Sequence, residues 1–327
     1  MEKTKVVLVT GIGGNVGQGV LRNIRDIDKN IKIIGTDITK FTPGNYLCDK
    51  TYTTPYAYEQ SFIENIASIV TKESINLIIP TTDYEMYYLS LNKSKIKCTI
   101  AGSDADITKI YLDKYQSYLY HKKHEIPFVL SWLPNDFPED YTQEIIAKPR
   151  EGRGSRGILL NPNEPKKLPD NYMIQPLLKG IEITTAVYVN KDNIIHGIFT
   201  LERELSNGTT TKSKTIFDFD EQMYNIAQKM VALGGLRGSF NIQSIVDENG
   251  NILPFEVNCR ISGTNSIRHN LGFQDVKYTI QEYLFDEKPD KPSPIHGVAT
   301  RILLDVIYPN CIDEQATINS KSPFTIY

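Results

Sequence analysis

The chain has 327 residues, 40% hydrophobic and 23% charged, with a formal net charge of −3. That length suits about two globular domains of roughly 150 residues each, and the charge balance excludes a broad basic surface for nucleic acid. Four scattered cysteines without a CxxC pair (Cys48, Cys98, Cys259, Cys311) exclude a zinc framework, and no apolar run approaches a membrane span.

In chain order, KVVLVT, KIIGT and LIIP are short apolar runs rich in β-branched residues, the composition of buried parallel strands. Val16, Val20, Leu21, Ile24 and Ile27 recur at helical spacing between the first two. Phe62, Ile63, Ile66, Ile69 and Val70 do so between the second and third. Alternating strands and helices predict a parallel sheet with helical crossovers over residues 1–103. The opening MEKTKVVLVTG is too short in its apolar run for a signal peptide, so a cytoplasmic setting is expected.

The first strand ends in VTGIGGNVGQGV. Thr10, Gly11, Gly14 and Gly17 fit TGxxGxxG, and Asp37 lies where an acidic residue would meet a ribose in a dinucleotide fold. Taken alone, this suits an NAD-dependent short-chain dehydrogenase or epimerase, whose YxxxK pair Tyr118 and Lys122 would match. Two plainer readings also fit: glycines that let the first helix pack closely on the sheet, or a loop that touches substrate.

Helical periodicity continues over residues 104–124. Then EIIAK, RGILL, YMIQ, EITTAVYVN and IIHGIFT follow with short turns, which predicts antiparallel sheet, and a helix is expected near 219–233. GVATRILLDV reads as a last strand. The stretch AKPREGRGSRGI has the GxxxxG spacing of a P-loop, but Ile158 and Leu159 stand where Lys-Ser/Thr is required. Its lysine, Lys148, comes first, at the end of a strand. A fixed cation beneath a mobile Gly/Arg hairpin can hold phosphates.

NIQSIVDENGNILPFEVN reads as a hairpin turning at Asn249-Gly250. A two-residue turn sets Glu248 opposite Asn251, Gln243 opposite Glu256 and Asn241 opposite Asn258. It puts Ile242, Val246, Leu253, Phe255 and Val257 on a core face. The other face gathers one carboxylate and three carboxamides, oxygen ligands suited to Mg²⁺.

These segments resemble the ATP-grasp superfamily, in particular proteins similar to one half of the carbamoyl-phosphate synthase large subunit. NIQSIVDENGNILPFEVNCRISG resembles its metal-binding element, which maps onto Gln243, Glu256, Asn258 and Arg260. LDKYQSYLYHKKHEIPFVLSW resembles the segment with a phosphate-reaching basic residue, here Lys114. IIAKPREGRGSRGI resembles the strand lysine (Lys148) and the glycine-rich lid (Arg153, Gly154, Ser155, Arg156). MIQPLLKGIEITTAVYV resembles the hinge that meets adenine through Gln175, Pro176 and Leu177, with Glu182 on the ribose side. IPTTDYEMYYLS resembles part of the first domain of such ligases. Gln175 departs from the family's acidic residue, no long helix lies within the lid, and no amidotransferase-like Cys/His motif is present.

The resemblance implies an α/β fold: a Rossmann-like domain over 1–103, then a two-lobed α+β ATP-grasp domain over 104–327 with a lid at about 127–178. It implies an ATP-dependent carboxylate–amine ligase that forms an acylphosphate, with ATP and Mg²⁺ as cofactors and Mn²⁺ an acceptable substitute. Gln243, Glu256 and Asn258 would hold the metal. Arg260, Lys148 and Arg156 would carry catalysis, and Ser262 to Asn265 would offer N–H donors to the reacting anion. Asp83 and Glu85 are candidates to hold the amine, although Asp83 also suits helix capping. The expected partners are small-molecule substrates, neither nucleic acid nor membrane, and a homodimer is compatible with the reading. A nucleotide-binding regulator without turnover is the non-enzymatic alternative.

Overall fold

The computed structural model describes residues 4–152, 154, 156–206, 208–313 and 318–327. Its first unit is a parallel sheet of β1 (Val6–Val9), β2 (Lys32–Asp37), β3 (Lys50–Thr53), β4 (Leu77–Ile79) and β5 (Thr99–Ile100), in the order β3-β2-β1-β4-β5. The chain leaves β1 in one direction and returns on its other side at β4. A crevice therefore opens between the ends of these two strands, where open α/β sheets collect ligands.

Alternation along β1 sorts the core. Val7 and Val9 pack with Val20, Leu21 and Ile24 of α1 (Asn15–Ile27). Val6 and Leu8 pack on the opposite face with Phe62, Ile63 and Ile66 of α2 (Phe62–Glu73). The α1 face is also covered by Ile261, Val276 and Ile280 from much later in the chain, so the first sheet shares a core with the second unit. A third helix, α3 (Asp83–Leu91), follows β4.

The helical stretch expected over 104–124 is two helices, α4 (Ala105–Leu112) and α5 (Lys114–Lys123). Asp113 breaks it because its side chain caps α5, accepting from Tyr115 N at 2.8 Å and Gln116 N at 3.2 Å. A small antiparallel sheet follows: β6 (Ile145–Pro149), β7 (Leu159–Leu160) and β8 (Tyr172–Pro176), ordered β7-β6-β8. Trp132, Phe137 and Tyr141 pack with its inner residues Ala147 and Ile174. Among the described residues no α-helix lies between β7 and β8, so this lobe is small, as the sequence suggests.

The large antiparallel sheet holds β9 (Ile181–Val189), β10 (Ile195–Ser206), β11 (Thr209–Thr215), β12 (Gly238–Val246), β13 (Ile252–Asn258) and β14 (Val298–Thr300), in the order β13-β12-β9-β10-β11-β14. One face packs on α6 (Asp220–Ala232) through Met223, Ala227 and Met230. Two short helices follow β13, α7 (Asn265–Asn270) and α8 (Asp275–Ile280). The expected last strand is cut to three residues, and Leu303 beyond it is fully exposed. A two-stranded ribbon, β15 (Val306–Ile307) with β16 (Thr325–Ile326), ends the described chain. No helix among the described residues is long and apolar enough to cross a membrane.

Candidate active site

The first glycine loop is packed shut. Gly13 N donates to Asp37 Oδ2 at 2.8 Å, so the carboxylate expected to face a ribose is bound to the loop itself. A Cβ on Gly13 would meet Thr42 Cβ at 3.1 Å, and one on Gly17 would meet Gly11 O at 2.4 Å. These glycines serve close packing. Tyr118 and Lys122 line a surface groove with Phe128 and Lys229, which no residue of the first loop enters.

Next to this loop, Thr82 caps α3 in a capping box with Glu85: Glu85 N donates to Thr82 Oγ1 at 3.2 Å and Thr82 N to Glu85 Oε2 at 3.0 Å. Glu85 Oε2 also accepts from Thr10 Oγ1 at 2.8 Å. Burial pushes the Glu85 carboxyl above its ordinary range, against the pull of those hydrogen bonds. Glu85 is therefore turned inward and committed. Asp83 is not the cap. Its carboxylate crosses the cleft to Arg260, with Oδ2 to Nη2 at 3.1 Å.

The acidic hairpin has the expected outer register, Asn241 opposite Asn258 and Gln243 opposite Glu256. Its tip differs. Asp247 N donates to Asn251 O at 3.1 Å and Gly250 N to Asp247 O at 3.0 Å, so Glu248, Asn249 and Gly250 form a three-residue turn. Gly250 takes φ +80°, and Asp247 Oδ1 accepts from Asn249 N and Asn251 N at 2.9 and 2.8 Å. A bulge at Phe255 then adds one residue and restores the outer pairs. The core face changes with it: Ile252 is buried in place of Leu253, and the Phe255 ring lies 5.0 Å from Lys148 Nζ.

On the polar face Gln243 Nε2 donates to Asn258 Oδ1 at 2.9 Å, and Asn258 Nδ2 to Glu256 Oε1 at 3.0 Å. Asn241 lies deeper, 1% exposed, and accepts from Thr184 Oγ1. The Gln243 amide oxygen accepts from Arg203, whose Nε also donates to Glu182 Oε1 at 2.9 Å. Arg203 was not foreseen. Its signal is register: Glu202 pairs with Ile183, which puts Arg203 across from Glu182.

Two lysines face this hairpin. Lys148, on β6, is 7% exposed, and Lys114, the first residue of α5, is 8% exposed. Burial lowers Lys148 to about 8; Glu256 and Glu182 oppose that shift and Lys114 adds to it. Glu256 ends below its ordinary range: burial raises it, but Lys114, Lys148, the Asn258 hydrogen bond and Arg260 prevail. Lys114 Nζ donates to Gly152 O at 3.1 Å, so the second glycine loop rests on it. From the other side, Tyr84 Oη donates to Glu151 Oε2 at 2.9 Å. Beneath the loop remains about 20 Å³ of water-accessible space, bordered by Asp83, Lys114, Gly152, Glu256 and Asn258. That admits a water or so. Gly154 is exposed at φ +67° against the Gly208 backbone, and Arg156 is exposed beyond it. Arg153 and Ser155 lie outside the described residues.

In the hinge, the buried Gln175 donates from Nε2 to Ser131 Oγ at 2.9 Å, Pro176 ends β8, and Leu177 N donates to Glu144 O at 2.8 Å. Ser262 to Asn265 form the turn into α7. Arg268, fully buried, donates to Ser262 Oγ at 2.7 Å and Thr264 Oγ1 at 2.9 Å, while Asn265 N is taken by Ser262 O. Among the described residues no group of three His, Cys, Asp or Glu could hold a metal. The donor set here is one carboxylate and two carboxamides. It fits Mg²⁺ bound largely through phosphate and water. Glu256 and Asn258 lie side by side for it, while the Gln243 oxygen faces a guanidinium.

The fold is shared with known proteins. Residues 7–101 match the family model of the PylC-like N-terminal domain, and residues 111–264 that of the ATP-grasp domain. No curated protein matches. Among solved structures, N5-carboxyaminoimidazole synthetase from Staphylococcus aureus is similar at a TM-score of 0.71 and 15% identity, over 89% of this chain and 80% of that one. The biotin carboxylase domain of 2-oxoglutarate carboxylase from Hydrogenobacter thermophilus, solved with MgADP and bicarbonate, is similar at 0.69 and 17%, over 88% and 71%. The carboxyaminoimidazole ribonucleotide synthase of Aspergillus clavatus, complexed with ATP, is similar at 0.70 and 15%, over 88% and 78%. At these identities the likeness is one of fold.

Proposed function

This chain belongs to the ATP-grasp superfamily, and we propose that it is an ATP-dependent ligase joining a small-molecule carboxylate to an amine. The observation that carries the reading is the pair of buried lysines, Lys114 and Lys148, set beside Glu256 under a glycine loop. Two buried cations against one carboxylate leave an excess of positive charge, which suits a polyphosphate.

Phosphoryl transfer asks for positioning and charge neutralisation more than covalent catalysis. Lys148 is held by a strand and Lys114 by a helix start, so neither has to reorganise as charge develops. Mg²⁺, when bound, neutralises charge between the phosphates. Glu256 and Asn258 would hold it, with Gln243 orienting Asn258 and joining the ligands where Arg203 turns to phosphate. Glu182 would face the ribose and the 175–177 hinge the adenine. An oxygen of the acceptor carboxylate attacks the γ-phosphorus and ADP departs. The amine then attacks the acyl carbon, the C–N bond forms, and phosphate leaves with the C–O bond. Arg260 would hold the acceptor carboxylate and later the acylphosphate, with Arg156 closing from the lid.

Residues 1–103 would act as the substrate-facing domain and 104–327 as the ATP-binding domain, with the lid at about 127–178. The gap between β5, ending at Ile100, and α4, starting at Ala105, supports that division. A panel of carboxylate–amine pairs, scored by ADP release and product mass, tests the function. ADP release that needs both a carboxylate and an amine, with the condensed mass, is expected; nicotinamide reduction instead would overturn it.

A further inference from the structure

We infer that Asp83 is a stand-in for the acceptor carboxylate. It sits on Arg260 while the site is empty, and it turns to the ammonium of the incoming amine once the acceptor takes that seat. The inference rests on the ligase reading and adds the residue that holds the acceptor's seat and then receives the amine.

Asp83 has no structural duty that explains its orientation. It is the first residue of α3, where a carboxylate commonly caps, yet Thr82 and Glu85 complete the capping box without it. Its carboxylate instead crosses to the other domain and meets Arg260 at 3.1 Å, with side-chain exposures of 26% for Asp83 and 14% for Arg260. A pair this buried sets its Coulomb gain against the cost of desolvating both charges, so it is weak evidence for a purely stabilising role. The domains are already joined by Ile261, Val276 and Ile280 packed against Val7 and Val9.

Arg260 is incompletely satisfied by this contact. Its Nη1 makes a long hydrogen bond to Ile261 O at 3.4 Å, and its buried Nε has no partner among the described residues. A guanidinium with a spare buried donor suits a planar anion that takes two N–H groups at once. A substrate carboxylate or an acylphosphate can do so, whereas Asp83 meets Arg260 as an ion pair at Nη2.

The charges in the cleft give the second step. Glu256 is flanked by Lys114 and Lys148, and Arg260 is shared between it and Asp83. When an acceptor carboxylate takes Arg260, Asp83 loses its ion-pair partner in a cavity that it borders with Lys114, Glu256 and Asn258. It then attracts a cation and repels an anion. Asp83 therefore favours an amine that arrives as an ammonium and seats after the acceptor; the nitrogen gives up its proton, which leaves with the phosphate, as it attacks the acyl carbon.

The test uses inorganic phosphate as the anion probe, titrated by calorimetry into the full chain holding MgADP. Removing a competitor from Arg260 raises apparent affinity by the reciprocal of the fraction of time the seat was free, expected to be about tenfold for Asp83→Asn. Adding Arg260→Gln should erase the gain. Equal phosphate affinity in wild type and Asp83→Asn overturns the inference, and Asp83→Ser with a melting curve guards against a fold defect. A second arm uses ammonium chloride and hydroxylamine as amines with the carboxylate found in the ligase panel. Asp83→Asn should lose amide formation with ammonium and keep hydroxamate formation with hydroxylamine, which is uncharged at neutral pH. Equal losses overturn it. A wild type that releases no ADP with any carboxylate sinks the ligase reading alone, because the phosphate arm needs no turnover.

Discussion

Gly11–Gly17 and Gly152–Gly157 both leave the end of a strand, and both have spacings that suggest phosphate binding, yet the structure uses glycine for opposite ends. In the first loop the missing side chains let backbone approach backbone: a Cβ on Gly17 would lie 2.4 Å from Gly11 O and 2.8 Å from Ile12 Cα. Asp37 locks the loop from the side. In the second, a Cβ on Gly154 would meet nothing within 4 Å, and Gly152, Gly154 and Gly157 all take positive φ. The first loop uses glycine chiefly for space, although Gly11 also takes φ +55°, and the second uses it for conformation. Spacing motifs cannot separate these uses, but the flanking chemistry can. The first loop is followed by a helix with no acidic or basic residue in its first turn, while a buried lysine precedes the second.

If the chemistry lies under the second loop, the largest effect belongs there. Glu256→Ala should lower ADP formation by on the order of 10²–10³-fold, the scale of losing a preorganised electrostatic group, while the chain still gives a folded melting transition. Asp37→Asn, at the first loop, should leave the ADP rate within about twofold while removing one charge-assisted hydrogen bond. Comparable turnover losses in the two variants would erase the distinction.

Stability should show the reverse pattern. Gly17→Ala forces a methyl against backbone inside α1, which should cost about 1–3 kcal/mol and lower the melting midpoint by roughly 2–4 °C per kcal/mol. Gly154→Ala carries about 1 kcal/mol of left-handed strain, in an exposed turn that can relax. Differential scanning calorimetry of the pair decides, and a larger drop for Gly154→Ala would contradict the packing argument.

The same comparison shows what the residues could disclose. Continuous apolar runs identified β1, β2 and β4, which are buried on both faces, and helical periodicity identified α1 and α2, each of which has an apolar face. Both missed β11, TTTKSKT, which lacks an apolar alternation and gains its place by pairing with β10. At the hairpin, two unseen features cancel. The turn is one residue longer than expected and the bulge at Phe255 absorbs that residue, so Gln243–Glu256 and Asn241–Asn258 are opposed although the tip is not as expected. Arg203 depends on the register of the long β9–β10 pair, which includes its own irregularity near Ile195, so it was not legible. Glu85 looked available because the capping box consumes it in three dimensions while Asp83 beside it stays on the cleft.

Lys148 sharpens the contrast through pH. Burial lowers it from 10.5 to about 8, so the folded chain sheds a proton there that the unfolded chain keeps. Between about pH 8 and 10.5 this group's contribution to stability therefore rises with pH, since the unfolded state binds more protons. Its attraction for phosphates runs the other way. MgADP affinity should weaken above about pH 8, by up to about tenfold per pH unit, and Lys148→Arg should flatten that limb. A wild-type affinity constant from pH 7 to 10 would remove Lys148 from the phosphate site.

The smallest effect expected is none at all, at the loop that most resembles a cofactor site. A dinucleotide needs its pyrophosphate against the glycine backbone and its ribose on the acid at the end of the second strand. Here Gly13 N and Asp37 Oδ2 bind each other at 2.8 Å, and Thr42 stands within 3.1 Å of where a Cβ on Gly13 would be. To admit NADH, the chain would have to break that hydrogen bond and move the 39–44 segment, which is anchored by Thr42 Oγ1 donating to Asn45 Oδ1 at 2.6 Å. Titrating the protein into NADH should give no saturable change in nicotinamide fluorescence. A saturable change lost in Asp37→Ala would show that the loop opens, and the two glycine loops would then both be ligand sites.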